Sequence, residues 1–438
     1  MNKKKKIIAV TCTLLLFVIL LTAVISIYKN QKIVLTFGMF AGSNWDVANA
    51  NSYAIIDQAI EVFEKEHPNV QVVYESGVVK DEYSEWLSQK IISGETPDVF
   101  MVLTSDFNQF SSIGVMKDLH ALMMEDSDFD QEKYYQSALN TGIYLGNQYA
   151  LPYETVPSLM FVNKTLLNQS GFAVPDEDWT WNDFLTMCET VTSDLDGDGI
   201  YDQFGIYNYG WKDAVYSNGA QLFDSEGKET YFTDQRVMDA IKFWKKVNET
   251  NDGQKVTQDD FDGGHVAFMP LRFSDYRTYK TYPYKIKKYS TFQWDCITMP
   301  AGPYGGNISG VDTLLMGINS ETKHEKLSWE FLKLLTYRES MQMDIFQYSQ
   351  GASVLKDVTE SDEAEQIIKQ DMEEGEKVID NHLLSKVLSE GTVAPKFQKY
   401  EEAVSLADGE ITKILEDDKN VESSMKILKR KIVNFLKK

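Results

Sequence analysis

Histidine and cysteine are scarce. The five histidines (His67, His120, His265, His324 and His382) include no pair at metal-ligand spacing, which argues against a histidine-built zinc centre. Of three cysteines, only Cys188 and Cys296 lie beyond the first 28 residues, 108 positions apart, so no disulfide framework is encoded. Buried thiols are expected at both. No G-x-S-x-G element occurs and neither cysteine has a convincing histidine partner, which leaves nucleophilic hydrolysis without a motif. Basic charge is also short, with 43 Lys and Arg against 66 Asp and Glu, a formal −23. Beyond Tyr28 the balance is 39 against 66, or −27. A surface this acidic repels nucleic acid and anionic lipid, so no nucleic-acid partner is expected. Only ten prolines are present, and two of them, Pro152 and Pro157, interrupt one apolar stretch.

What the chain does have is length, 438 residues, enough for two lobes of ordinary size. Its first segment, Met1–Tyr28, joins Lys3–Lys6 to an apolar run, Ile7–Ile27, of 21 residues. A signal peptide's apolar region spans about 7–15 residues and a bilayer crossing about 20. The run therefore predicts a membrane anchor, with cleavage after a signal-like segment or lipidation at Cys12 as alternatives. Lysines on the inner side place the body outside the cytoplasm.

The stretch interrupted by the two prolines is Tyr149–Gly171. It predicts a strand broken at Pro152 and Pro157, then a cap at Asn163 and a short helix ending at Gly171. An interrupted strand of this kind either passes from one sheet to another, leaving Tyr153 and Glu154 at the crossing, or is a bulged edge strand. Upstream, Ile33–Phe40, the helix-spaced Tyr53–Glu66 and Val70–Tyr74 form a βαβ unit, with Trp45 in the loop after the first strand. Asp98–Leu103 reads as a buried strand, which puts Asp106 beyond its carboxyl end, where open α/β sheets bind ligands. Phe107–Leu122 reads as helical, with a turn at Met116-Lys117-Asp118-Leu119. Further on, Thr180 and Asp183 have capping-box spacing, and Lys323–Tyr337 is amphipathic.

Residues 194–202 read DLDGDGIYD. Asp194, Asp196, Asp198, the Ile200 carbonyl and Asp202 match the first nine positions of an EF-hand loop, but position 12 is Gly205 rather than a bidentate Glu. The segment is expected to be a structural Ca2+ site, completed from elsewhere by a residue such as Asp224 or Glu226, or else a turn. No other cofactor is expected.

The sequence resembles the extracellular solute-binding proteins of family 1, the sugar-binding components of ABC importers. The residues that carry the likeness are LPYET followed by a strand and Asn163-Lys164, FEKEHPNVQVV with SGETPDVFMV, Thr180-Trp181-Asn182-Asp183-Phe184, and WEFLKLLT in the Lys323–Tyr337 helix. They cover nearly all of residues 33–438 in order. The resemblance implies a two-lobe α/β fold of the type II periplasmic-binding-protein kind, with mixed sheets flanked by helices and several hinge crossings. It implies lobe 1 at 33–153 plus 311–353 and lobe 2 at 154–310 plus 354–438, with Asn307–Ile318 as a second crossing. Gly351-Ala352-Ser353-Val354 would be a third, although the family's proline is missing there. The implied cleft is lined by Trp45, Asp106, Tyr153, Glu154, Trp211, Arg272, Gly310 and Asp312, a mixture of rings and carboxylates suited to a sugar. The implied role is a monomer on the extracellular face that captures a mono- or oligosaccharide and delivers it to an importer's membrane subunits. A membrane-tethered sugar sensor is the alternative. A glycoside-acting enzyme is the third reading, and would need Asp106 and Glu154 about 5–10 Å apart across the substrate.

Overall fold

The computed structural model describes residues 32–281, 292–370 and 379–438, with side chains of 279–281 outside that description. Its strands are β1 (Ile33–Gly38), β2 (Val70–Tyr74), β3 (Val99–Val102), the hairpin β4–β5 (Ile143–Tyr144 and Asn147–Gln148), β6 (Ala150–Asn163), β7 (Phe204–Ile206), β8 (Val266–Arg272), β9 (Trp294–Ile297) and β10 (Val311–Ile318). The main order is β2-β1-β3-β10-β6-β8-β7, with β9 also on β6. Strands β1, β2 and β3 run parallel, and β10 returns antiparallel between β3 and β6. Helices flank both sheets.

Strand β6 holds the two sheets together. Its first half, Ala150–Pro157, pairs with β10, and its second half, Ser158–Asn163, lies between β8 and β9. This corrects the expected break at Pro152. The strand is continuous for 14 residues, and the change of sheet falls at Pro157–Ser158. Proline's fixed φ suits an extended chain, so its only cost here is a missing donor. At Pro152 the register slips between Leu314 and Leu315, so Tyr153 is the extra residue of a bulge. Pro157 lies opposite Val311, the first residue of β10, where the ladder ends.

Two further passages run beside Pro157–Ser158. The Ser158 N–H donates to the Gly310 carbonyl at 3.1 Å, and the Thr392 N–H donates to that of Ser309 at 3.0 Å. Gly391 is required there, because a Cβ would lie 2.2 Å from Val311 Cγ2. The 351–354 segment behaves differently from the expected third crossing. Ala352 exchanges two backbone hydrogen bonds with Thr155 (3.1 and 2.8 Å), and the chain then stays on the first side. Val358, Ala364, Ile368 and Leu384 join the first apolar cluster, built around β1, β3 and β10. The second cluster gathers Trp181, Phe184, Trp211, Trp244 and Phe268 with Tyr400–Ile432. The third passage is therefore 391–399, rather than 353/354.

Local signals explain the elements around this hinge. Asn163 caps the Lys164–Gln169 helix through Leu166 N–H (2.9 Å), and Gly171 leaves it at φ 85°. Thr180 and Asp183 form the expected capping box. The expected helix Phe107–Leu122 is instead two, Thr104–Ser112 and His120–Glu125, separated where Gly114 takes φ 76°. Cys188 and Cys296 are buried and not joined. Among the described residues no helix is long and apolar enough to cross a membrane, and Met1–Tyr28 lies outside them.

Candidate functional site

The loops beyond β1 and β3, the first residues of β10 and the chain after β8 converge at the hinge. The loop after β1 is fastened at both ends of Trp45. Ser43 Oγ accepts from the Trp45 N–H (3.1 Å), and Lys80 Nζ binds the Asn44 carbonyl and Asp46 Oδ1, both at 2.6 Å. From the second sheet, Arg272 Nη2 donates to the Trp45 carbonyl at 2.7 Å. This bond ties the two halves across the cleft. The Trp45 ring is buried above Glu154.

Glu154 is buried beneath this loop. Its Oε1 accepts from Ser349 Oγ (2.5 Å) and from the Gly351 N–H (2.6 Å). Burial pushes its carboxyl pKa up, and contacts with Ser349, Trp45 and Gly351 and the charge of Arg277 offset this only in part. Gly351 leaves no room for a side chain, since a Cβ would lie 2.3 Å from Glu154 Oε1. Tyr153 is also buried, with its carbonyl accepting from Gln342 Nε2 at 3.0 Å. Asp106, half-buried in the first turn of its helix, accepts from Ser84 Oγ at 2.6 Å, and burial raises its pKa.

Asp312 lies at the centre. It is open to solvent yet hemmed in by protein, which raises its pKa against the pull of Arg272, Lys396, Lys212 and Lys80. Arg272 also holds Asp275 at 3.3 Å. Asp213 feels Asp312's charge, and burial drives its carboxyl up to about 6 despite the Gly210 N–H (3.1 Å) and the charge of Lys212. A cavity of about 170 Å3 opens beside Asp312, with Thr104 and Thr141 on one side and Lys212, Lys396, Tyr400 and Glu401 on the other. A smaller one, about 30 Å3, lies under the Trp45 loop beside Tyr153 and Glu154.

The expected residues are thus distributed unevenly. Trp45, Tyr153, Glu154, Arg272 and Asp312 meet at the hinge. Gly310 is in the same place, and a Cβ there would approach Tyr216 Cε2 to 3.1 Å. Trp211 faces the second apolar cluster, its indole N–H donating to Asp408 Oδ1 at 2.8 Å. Its neighbour Lys212 is the residue that reaches the cavity. Lys396, Glu401 and Tyr400 were not anticipated. The available signal was a lone cation in an otherwise apolar loop, Val393-Ala394-Pro395-Lys396-Phe397.

In the acidic loop, oxygens of Asp194, Asp196 and Asp202 lie within 4.8 Å of one another. Asp194 accepts from the Gly197 and Gly199 N–H groups (2.7 and 2.8 Å), which lowers its pKa, and both glycines have left-handed φ. Asp198 instead accepts from Ile200 N–H, and Asp224 closes its own turn with Glu229 N–H. The donor set suits a hard cation but supplies three of the roughly six to eight oxygens calcium takes.

A family model, bacterial extracellular solute-binding protein, matches residues 48–342. The chain belongs to that family, whose members bind solutes outside the cytoplasm. A putative binding protein of Brucella abortus is 22% identical over 312 residues, 66% of this chain and 70% of that protein. Among solved structures, the ABC substrate-binding protein of Listeria monocytogenes in complex with cycloalternan superimposes with a TM-score of 0.69 at 18% identity, covering 93% of this chain and 99% of that one. The sugar-binding protein MalE of Xanthomonas citri gives a TM-score of 0.75 at 14% identity, over 92% and 97% of the chains. At such identities the likeness is one of fold, and that fold is the expected two-lobe α/β architecture.

Proposed function

We propose that this protein captures a carbohydrate between its two lobes and hands it to the membrane subunits of an ABC importer. The observation that carries this reading is Asp312, a solvent-reachable carboxylate surrounded by Arg272, Lys212, Lys396 and Lys80 at the junction of both sheets. Sugar hydroxyls donate and accept at once, and such a cleft offers both partners within one ring's reach. The fold neighbour solved with cycloalternan supports the same ligand class. Three passages at one level give a hinge about which the lobes can close.

The engagement of the two candidate carboxylates supports the non-enzymatic reading. Glu154 is buried and held by Ser349 and Gly351, and Asp106 by Ser84, so neither is poised as the acid or base of a glycosidase. Met1–Tyr28 would tether the protein to the outer face of the membrane, and the Asp194–Asp202 loop would hold a structural Ca2+. A thermal-shift screen of mono- to trisaccharides tests the function. Stoichiometric stabilisation by a sugar without turnover supports it, and turnover of an oligosaccharide contradicts it.

A further inference from the structure

Large apolar side chains left in water are ordinary when scattered and informative when they gather at one end of a molecule. Among the described residues eleven are exposed, and five of them, Val34, Ile92, Ile113, Met124 and Leu145, fall at the end of lobe 1 farthest from the hinge. The two most exposed of the eleven, Ile92 (87%) and Met124 (73%), are in this set. Backbone pairing fixes their place. At this end β3 begins at Val99, paired with Ile318, the last residue of β10, and β6 begins at Ala150 beside Gly317. Ile92 is in the last turn of the Lys80–Ser93 helix, shortly before β3. Ile113 follows the Thr104–Ser112 helix, where the Ser320 hydroxyl donates to the Gly114 carbonyl at 2.7 Å. Met124 is in the His120–Glu125 helix, which the Leu119 N–H ties to the hairpin through the Gln148 carbonyl (2.8 Å). Leu145 is at the hairpin tip with φ 48°, a backbone state that suits glycine or asparagine better than leucine. The fold gains nothing from an apolar residue there.

The same end receives the chain from its N-terminal segment. Strand β1 starts here with Ile33, whose N–H donates to the Asn69 carbonyl at 2.8 Å, and runs parallel to β3 towards the hinge. In the sequence only five residues, Tyr28–Lys32, separate Ile33 from the apolar run Ile7–Ile27. Five residues span at most about 18 Å. They include Lys29 and Lys32 and no acid. An anchor held in a bilayer therefore keeps this end of lobe 1 near the lipid. The cleft lies beyond the far end of β1, a strand of six residues and about 20 Å, so the tether cannot bring it there. Separate protruding side chains suit a fluid headgroup layer, whereas a protein partner calls for a packed apolar centre.

We propose that the end of lobe 1 bearing Ile92, Ile113, Met124 and Leu145 rests on the membrane surface, with these side chains dipping into the headgroup layer. The assignment rests on the reading of Met1–Tyr28 as a retained anchor. Lobe 1 then stands between lipid and cleft, and the importer has to receive the solute above the bilayer.

The test uses the full chain in phosphatidylcholine–phosphatidylglycerol vesicles. Met124→Cys, Leu145→Cys and, as an exposed reference in lobe 2, Ile200→Cys are made with Cys12→Ser and labelled with an environment-sensitive dye. Cys188 and Cys296 are buried. Spin-labelled lipid should quench the dye at positions 124 and 145 and leave it bright at position 200. Ile92→Glu with Ile113→Glu should abolish quenching at position 124 while the chain still floats with the vesicles. Equal quenching at all three positions, in a chain that floats after alkaline extraction, would overturn the membrane contact and leave the anchor standing. Quenching that survives Ile92→Glu with Ile113→Glu would mean tethering without insertion, and would overturn it too. So would a dye shielded in lipid-free detergent as protein concentration rises, which would assign this end to a second copy. A chain released by alkaline extraction would remove the anchor, and this inference with it.

Discussion

The Glu154 carboxylate accepts the Gly351 N–H at 2.6 Å, and no residue with a Cβ fits at 351 without striking that same oxygen. This pair fastens the loop after the 339–348 helix to β6 three residues before the change of sheet at Pro157–Ser158. Gly351→Ala should destabilise the protein by about 1–3 kcal/mol, since it displaces a buried carboxylate from two of its donors. Urea unfolding measures this, and an unchanged midpoint would contradict the role given to the pair.

Asp213 supplies a pH dependence with a defined sign. Its pKa is raised to about 6 in the folded protein, against about 3.9 in an unfolded chain. Between those values the folded state holds the proton and the unfolded state does not. Stability therefore falls as pH rises from about 4 to about 6, and the loss persists above that. The size is at most about 3 kcal/mol. Asp213→Asn, which keeps an acceptor for Gly210 N–H, should be relatively more stable than the wild type at pH 7 than at pH 4. Parallel pH profiles of the two would contradict this.

Trp211 packs inward and gives its indole N–H to Asp408. Trp211→Phe should cost about 1–2 kcal/mol of stability from the lost bond and ring edge, with ligand affinity within about twofold of wild type. A large loss of affinity with unchanged stability would return this ring to the cleft.

The Asp194–Asp202 loop predicts stabilisation by calcium. Millimolar Ca2+ should raise the melting temperature of the wild type, and Asp194→Asn with Asp196→Asn should remove the response. Equal melting curves with and without Ca2+ would identify the segment as a turn shaped by Gly197 and Gly199.

Much of the architecture was legible because it is written locally. The βαβ start, the Asn163 cap, the Thr180 box and the 325–337 helix each depend on residues within one or two turns. Pro152 misled because a proline is tolerated in a strand wherever its missing donor meets a bulge, and the slip between Leu314 and Leu315 is set by a partner 163 positions away. Gly114 looked like a helix interior and took a left-handed φ. The site was half legible. Trp45, Glu154 and Asp312 lie on or beside recognisable strands, whereas Lys396 comes to the cavity beside Asp312 only through the third passage.

The most direct test is isothermal titration of the purified body with the best neutral sugar from the thermal screen, in parallel with Asp312→Asn and Arg272→Ala. The account predicts one-to-one binding by the wild type and a loss of about tenfold or more in each variant, with both still folded. One-to-one binding that both variants retain at full strength would contradict a ligand site at the junction of the two lobes.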